Sequence, residues 1–513
     1  MKIFSSQQIR LAEKLAVETA GISSLKLMEN AGNAAADIIK SEIDVRGLRC
    51  VAVCGKGGNG GDGFVAAMRL LEAGALVSVV LSHGKPQHSD AAEMYEKMSS
   101  VGIICVNWQS DPTGAASVIA DADILIDGIF GIGFKGCPDE TASNIIECMN
   151  HSNSPIYSLD IPSGADADKG TVDGVCVNAV ATIAFSCPKF AHIELSSAFY
   201  CGQVHIVDIG IPQKLISQIE SDFDLTDSAL VRSYLPARSP AAHKGDCGRV
   251  LIICGSYTMP GAALMCCLGA LRSGAGLVRL AVPESAYPFI AGKIMEPTYL
   301  PLPCIGNKTD GEKAVKLLIP EIEKADSIVI GCGMTDDDSL FPVIGAVLEN
   351  AKCPVIIDAD GINLLSRNIN LLKNSSVSSV LTPHLGEMSR LVSESVCEIK
   401  RNRVEYAKKA AREFNCCVVL KGPRTLISSP DGKVYCNLNG NAGMAVGGSG
   451  DVLAGIIGGL AAQGMQPEKA AACAVYIHGR SGDLCEQNLT QYSMTPTDIL
   501  DYLPKVFGEI VKD

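Results

Sequence analysis

The sequence predicts two α/β domains, each a doubly wound, mostly parallel sheet. The chain has 513 residues, more than one ordinary domain holds. Short apolar runs alternate with helix-length stretches, in two separate series. Many of these runs end in Gly-rich loops, and the 51 glycines exceed the usual share of roughly 7%.

Residues 1–40 read as amphipathic helix, with Ile9, Leu11, Ala12, Leu15 and Ala16 at helical spacing. The first strand series follows at 50–54, 77–81, 124–126, 156–159, 182–185 and 205–207, with a helix around 63–73. Residues 212–240 are polar and broken by Pro212, Pro236 and Pro240, which places the boundary near 220 and the domains at 1–218 and 228–513. The second series runs through 250–254, 277–281, 327–330, 355–357, 379–381 and 418–420. A hairpin of 425–428 and 433–436 turns at Asp431-Gly432.

The composition, 47% hydrophobic, is that of a globular enzyme. A formal charge of −13 argues against nucleic acid, whose binding rests on Lys and Arg. An anionic ligand must then be held by local backbone amides rather than by the overall field. The 21 cysteines have no C-x-x-C spacing and no clustering with His, which argues against disulfide or zinc frameworks and for a reducing, cytoplasmic setting. The amino terminus lacks an apolar signal core, and no apolar run reaches the ~20 residues of a membrane span.

Residues 55–63 (GKGGNGGDG) lie between an apolar run and a helix and match the dinucleotide fingerprint G-x-G-x-x-G, a Rossmann-like signal. The acidic residue expected about 20 positions later to grip a ribose is missing; Leu81-Ser82-His83-Gly84 stands there. Loops at 127–133 (DGIFGIG) and 159–164 (LDIPSG) should converge on the first at the carboxyl ends of the strands. Asn59, Asp127 and Ser163 then supply oxygens for a monovalent cation or for ribose hydroxyls. Asp160 and Lys189 could form an acid–base pair, or Asp160 could cap a helix with Lys189 solvated.

Together, GKGGNGGDG, DGIFGIG, LDIPSG and Lys189 resemble the amino-terminal domain of NAD(P)H-hydrate epimerases over about residues 1–215. The resemblance implies substrate contacts at Gly58, Asn59, Gly60, Gly61, Asp62, Gly131, Ile132, Gly133, Phe134, Lys135, Gly136, Cys137 and Asp160. It implies catalysis by Asp160 and Lys189, and a potassium ion on Asn59, Asp127 and Ser163. One departure is visible: the family loop carries two adjacent asparagines, and Gly58 replaces the first.

In the second half, residues 447–451 (GGSGD), followed at once by Val452-Leu453-Ala454-Gly455, open an apolar helix. Small residues there free backbone N–H groups to face an anion, and the helix dipole favours negative charge. A carboxylate at that mouth, Asp451, suits removal of a proton from a hydroxyl that attacks a phosphate. No G-x-x-x-x-G-K-[ST] occurs, so a P-loop is excluded. Lys421 could reach nucleotide phosphates. His384 and Glu387 could suggest a metal, but no third ligand is apparent, so His384 is read as a substrate contact and Glu387 as a helix start.

The ordered motifs HKGDCGRVLIICGS, RSGAGLV, DADGIN, TPHLGEM, KGPRT and NAGMAVGGSGDVLAGIIGGL resemble the ADP/ATP-dependent NAD(P)H-hydrate dehydratases over about residues 228–513. That implies a ribokinase-like fold and a substrate pocket of Ala262, Gly333, His384 and Asp451, with Asp451 as the base. It implies nucleotide contacts at Lys421, Gly422, Pro423, Arg424, Thr425 and Gly450, and Mg2+ accompanying ADP or ATP. Thr335 stands where the family usually has Gly. The expected ligands are therefore the hydrates of NADH and NADPH with ADP, or less favourably ATP, in a homo-oligomer without nucleic-acid or membrane partners. The competing reading is a ribokinase-like small-molecule kinase with a non-catalytic nucleotide-binding amino-terminal module.

Overall fold

The computed structural model describes residues 1–87 and 90–512. They form two compact units, one of Lys2–Ser221 and one of Asp222–Asp513 together with Met1.

The first unit is built on β1 (Arg49–Cys54), β2 (Leu76–Leu81), β3 (Ile104–Asn107), β4 (Ile124–Gly128), β5 (Ile156–Leu159), β6 (Ala181–Phe185) and β7 (Gln203–Val207). They lie in the order β3-β2-β1-β4-β5-β6-β7, every pair parallel. The order reverses between β1 and β4, which opens a crevice beyond their carboxyl ends. β3 went unread in the sequence because it is a short edge strand with partly exposed side chains. The expected single helix over 1–40 is two, Ser6–Ala20 and Ser24–Glu42. Gly21 ends the first in a left-handed conformation (φ 68°), and Ser23 caps the second through the Lys26 amide.

The second unit holds β8 (Phe223–Leu225), β9 (Arg249–Ile253), β10 (Leu277–Pro283), β11 (Thr298–Leu302) and a small hairpin, β12 (Cys304–Ile305) with β13 (Lys308–Thr309). It continues with β14 (Ser327–Ile330), β15 (Val355–Ile357), β16 (Ser379–Leu381), β17 (Cys417–Leu420), β18 (Leu426–Ser428) and β19 (Val434–Cys436). The main sheet runs β11-β10-β9-β14-β15-β16-β17-β18-β19-β8. It is parallel from β11 to β17, and the predicted hairpin adds β18 and β19 antiparallel. Part of the stretch expected to be a broken connector is ordered: β8 pairs with β19, and Ser228–Tyr234 is helical.

Two helices, Pro260–Arg272 and Ser449–Ala462, pack backbone to backbone. A Cβ on Gly455 would meet the Cys266 carbonyl oxygen at 2.0 Å, and one on Gly269 would meet the Val452 oxygen at 2.5 Å. Glycine permits this approach, which holds the start of the second helix against the sheet ends. Gly455→Ala must push the helices apart; it is expected to destabilise the second unit by about 1–3 kcal/mol, read as a lowered thermal transition. An unchanged transition would contradict the close packing.

Candidate functional site

In the first unit a cavity of about 960 Å³ opens at the β1–β4 reversal. Its lining includes Gly58, Asn59, Asp62, Gly131, Ile132, Gly133, Phe134, Lys135, Asp160 and Lys189. Gly60, Gly61, Gly136 and Cys137, expected to contact substrate, are outside that lining. Gly60 and Gly61 are also packed closely: a Cβ would lie 2.0 Å from the Gly55 oxygen or 2.4 Å from the Met28 sulfur. Gly136 and Cys137 are exposed beyond the rim, where the loop turns at Gly136 (φ 78°). The helix Gly58–Glu72 begins five residues earlier than expected, so its first turn faces the cavity.

At the cavity floor, Lys189 is fully buried and its Nζ donates to Asp160 Oδ1 and, at 2.8 Å, to the Phe185 carbonyl. Asp160 therefore pairs with Lys189 and caps no helix. The strand ends are bent to make this contact. Asp160 and Ser186 both have φ 62°, with tight bonds from Ile161 N to the Leu159 oxygen and from Cys187 N to the Phe185 oxygen. His192 supports both partners: Nδ1 accepts from the Lys189 amide at 3.0 Å, and Nε2 lies 2.7 Å from the Asp160 carbonyl oxygen. Loss of solvent, then the charge of Asp160, pushes the carboxyls of Glu13 and Asp62 up, Asp62 most strongly.

Asp127, fully buried, accepts from Ser163 N (2.8 Å), Ser163 Oγ (2.5 Å) and Ser158 Oγ (2.9 Å). Asn59 Nδ2 donates to the carbonyls of Phe130 at 2.7 Å and Leu159 at 3.1 Å. The three residues expected to hold a cation thus meet around the Phe130 backbone. Burial pushes Asp127 up against its hydrogen bonds, and none of those partners is cationic. Carboxylate, hydroxyl and carbonyl oxygens around such a group fit a hard monovalent cation.

In the second unit the site residues gather at the carboxyl ends of the central strands. Asp358, after β15, accepts from Lys421 Nζ and from Thr382 Oγ1, each at 2.6 Å. Burial opposes the charge of Lys421, but Asp358 and Glu387 hold its ammonium above the ordinary range. Gly450 sits against that pair, since a Cβ there would be 3.3 Å from Lys421 Nζ. The helix Ser449–Ala462 starts on Gly448 at φ 100°, leaving the amides of its first turn without intrahelical partners. Asp451 lies in that turn, its carboxyl pushed up to about 7 by lost solvent and then by the charge of Asp358.

Ala262 and Gly333 are brought together, for a Cβ on Gly333 would be 2.6 Å from that of Ala262. His384 is exposed and caps the helix Leu385–Val392, its Nδ1 accepting from the Gly386 amide at 2.9 Å. Glu387 closes the same cap by accepting from the His384 amide at 2.8 Å, which explains the spacing without a metal. Gly422, Pro423, Arg424 and Thr425 form the loop from β17 to β18, with Gly422 at φ 151° and Arg424 at φ 55°. Thr335 is also left-handed, at φ 74°, held by its amide on Asp360 Oδ2 at 2.8 Å.

Sequence reasoning passed over Arg10, Glu13, Lys56, His83, Asp139 and His192 near the first site. Arg10 and Glu13, one helical turn apart on a polar face, look like solvated charges until the helix is docked. Asp358 carried a signal, the carboxylates ending an apolar strand.

These features define a class: a two-domain α/β protein with a large cavity at the parallel strand ends of the first unit and a lysine–carboxylate pair beside a glycine-rich helix start at those of the second. The NAD(P)H-hydrate dehydratase family matches residues 250–505, and the family described as YjeF-related protein N-terminus matches 24–191. The bifunctional NAD(P)H-hydrate repair enzyme of Moorella thermoacetica is 37% identical, spanning 100% of this chain and 98% of its own. The enzyme of that name from Escherichia coli is 32% identical over 100% and 95%. A solved ribokinase-like superfamily protein from Enterococcus faecalis is 28% identical with a TM-score of 0.50, covering 57% of this chain and 98% of its own. The chain belongs to the bifunctional NAD(P)H-hydrate repair enzymes. No helix among the described residues is long and apolar enough to cross a membrane.

Because the Asp451 carboxyl is raised in the folded state, its neutral form is favoured there. Its contribution to stability is fully present below the unfolded value near 3.8 and is lost as pH rises through about 7. Asp451→Asn is therefore expected to stabilise the second unit at pH 8 by roughly 1–3 kcal/mol, and to make no such difference at pH 4. Urea unfolding at the two pH values measures this; equal effects at both would contradict it.

Proposed function

We propose that this chain repairs hydrated NADH and NADPH, its first unit interconverting the R and S hydrates and its second dehydrating the S hydrate at the expense of a nucleotide. The observation that carries the reading is Asp451, a base poised near neutrality at the mouth of a glycine-lined anion hole. The hydroxyl left on the ring by hydration is a poor leaving group. Asp451 takes its proton as the oxygen attacks the terminal phosphate of the nucleotide, and the first-turn amides of the helix face the charge that develops. The phosphate then leaves with the electrons of its C–O bond, a proton is lost from the adjacent ring carbon, and the C–H electrons form the ring double bond again.

Lys421, Gly422, Pro423, Arg424, Thr425 and Gly450 hold the nucleotide, with ADP favoured over ATP. Lys421 is already paired with Asp358, so little positive charge is left over for phosphates. The nucleotide's Mg2+ would supply the missing neutralisation. Ala262, Gly333 and His384 bound the hydrate. This assignment is more specific than a plain ribokinase-like kinase because both halves then share one ligand class.

In the first unit, Asp160 and Lys189 are the acid–base pair, and Asn59, Asp127 and Ser163 would hold a potassium ion that would order the loops around the hydrate. The floor pair, buried beside two raised carboxyls, suits proton movement on a neutral ring better than a binding role alone.

The deciding experiment incubates the purified protein with both epimers of hydrated NADH, Mg2+ and either ADP or ATP, following NADH absorbance. Complete return faster than spontaneous epimerisation supports both activities and identifies the donor; a stall after one epimer makes the first unit a scaffold. No return with either nucleotide rejects the repair reading. Asp451→Asn should lower dehydration by about 10³-fold and spare epimerisation, whereas Asp160→Asn should do the reverse by at least about 100-fold. A Cβ on Gly58 meets nothing within 4 Å, so Gly58→Asn fits. It should lower the KM of epimerisation by roughly 2–10-fold through one added hydrogen bond; an unchanged KM would show that the position does not touch the hydrate.

A further inference from the structure

Behind Asp451 lies a cluster that the reaction above leaves unused. Cys254 follows β9, Cys266 is on the helix Pro260–Arg272, and Cys332 follows β14. All three are fully buried, and their Sγ atoms lie within 4.8 Å of one another. Cys332 also belongs to a second group with Asp358 and Asp451, whose ligating atoms are equally close, and its Sγ is 3.7 Å from Asp358 Oδ2. The thiol triangle thus shares a corner with the carboxylates of the anion hole.

Buried cysteines are commonly small apolar filler, as Cys416 and Cys417 are in their strand region. This trio differs in pointing its sulfurs at one another. A metal bound by three thiolates at about 2.3 Å needs sulfurs about 3.8–4.0 Å apart, so the triangle is already within about 1 Å of that size. The thiols are also hydrogen-bonded to one another. Hydrogen bonds to Cys254, then burial, push Cys266 up; bonds to Cys254 and Cys266 do the same for Cys332. Among the described residues, the only other group of three ligand-type side chains this close is the one that shares Cys332.

We propose that Cys254, Cys266 and Cys332 form a site for one thiophilic d10 cation, of the Cd2+, Zn2+ or Cu+ kind, and that its occupancy silences dehydration. Soft thiolates select such ions over Mg2+. On binding, each S–H proton passes to solvent and a sulfur lone pair forms the metal bond, with no change in oxidation state. The ion then sits beside Cys332, where its remaining coordination position can take an Asp451 oxygen and remove the base. The site itself stands on geometry; only the silencing rests on the function proposed above.

The test titrates reduced full-length protein with Cd2+ and follows thiolate-to-metal charge-transfer absorption. A Cys137→Ser/Cys397→Ser background removes the two exposed cysteines. One tightly held Cd2+ per chain is expected. Its band should be lost in Cys266→Ala and, separately, in Cys254→Ala, each first shown to keep its thermal transition and its Cd2+-free activity. Dehydration should fall at least about 100-fold with one equivalent of Cd2+, epimerisation should be unchanged, and a chelator should restore the loss. A band equal in the parent and both variants overturns the site. A band lost in the variants without inhibition in the parent overturns the silencing. Absence of dehydration before any Cd2+ is added indicts the functional reading instead, and the absorption still decides the site.

Discussion

In each unit one buried carboxylate just past the end of a parallel strand is paired with a single lysine. Asp160 after β5 is met by Lys189 from the segment after β6, and Asp358 after β15 by Lys421 after β17. Removing one partner of such a buried pair would leave the other uncompensated, which is costly. The loops around each pair are bent to allow the contact: Asp160 and Ser186 are left-handed in one unit, Ala359 and Arg424 in the other. Such conformations persist only where the surroundings over-determine them. The pairs also set the chemistry beside them. The charge of Asp358 helps raise Asp451, and that of Asp160 helps raise Glu13 and Asp62. One constraint therefore shapes both the backbone and the proton affinities of each site.

How much of this the sequence disclosed depended on the range of the signal. The central strands were legible because residues such as Val250, Leu251, Ile252 and Ile253 are buried on both sheet faces and read as continuous apolar runs. The edge strands β3, β8 and β11 were not, since short and half-exposed segments lose that pattern. The helix start at Gly448–Ser449 was legible because glycine at a helix start has a local cause. At Gly60 and Gly61 close packing and ligand contact demand the same residue, so the sequence alone does not separate the two reasons for glycine. His192, Glu13 and the cysteine triangle had no local signal, because they join segments far apart in the chain.

Gly58 and Thr335 depart from the family pattern in opposite physical senses. At Gly58 a side chain is missing where space is open, so the backbone is relaxed and only a possible contact is lost. At Thr335 a β-branched side chain occupies a left-handed conformation that glycine takes freely. Its amide bond to Asp360 holds the loop in place against that cost. On the function proposed above the first departure bears on ligand affinity; the second bears on the stiffness of the loop after β14.

The acidic character of the chain bears on how it handles anionic ligands. With a formal charge of −13, the long-range field repels dinucleotides and nucleoside phosphates, so capture must rest on short-range features. Helix amides act within a few ångströms and are indifferent to net charge, and the metal-complexed nucleotide arrives partly neutralised. Epimerisation alone leaves the pool of hydrates unchanged in total, because it only interconverts them. Loss of phosphate removes material from that pool irreversibly, and interconversion then feeds it from both sides. The two units need no shared pocket for this, only a common substrate pool and equal numbers, which a single chain guarantees.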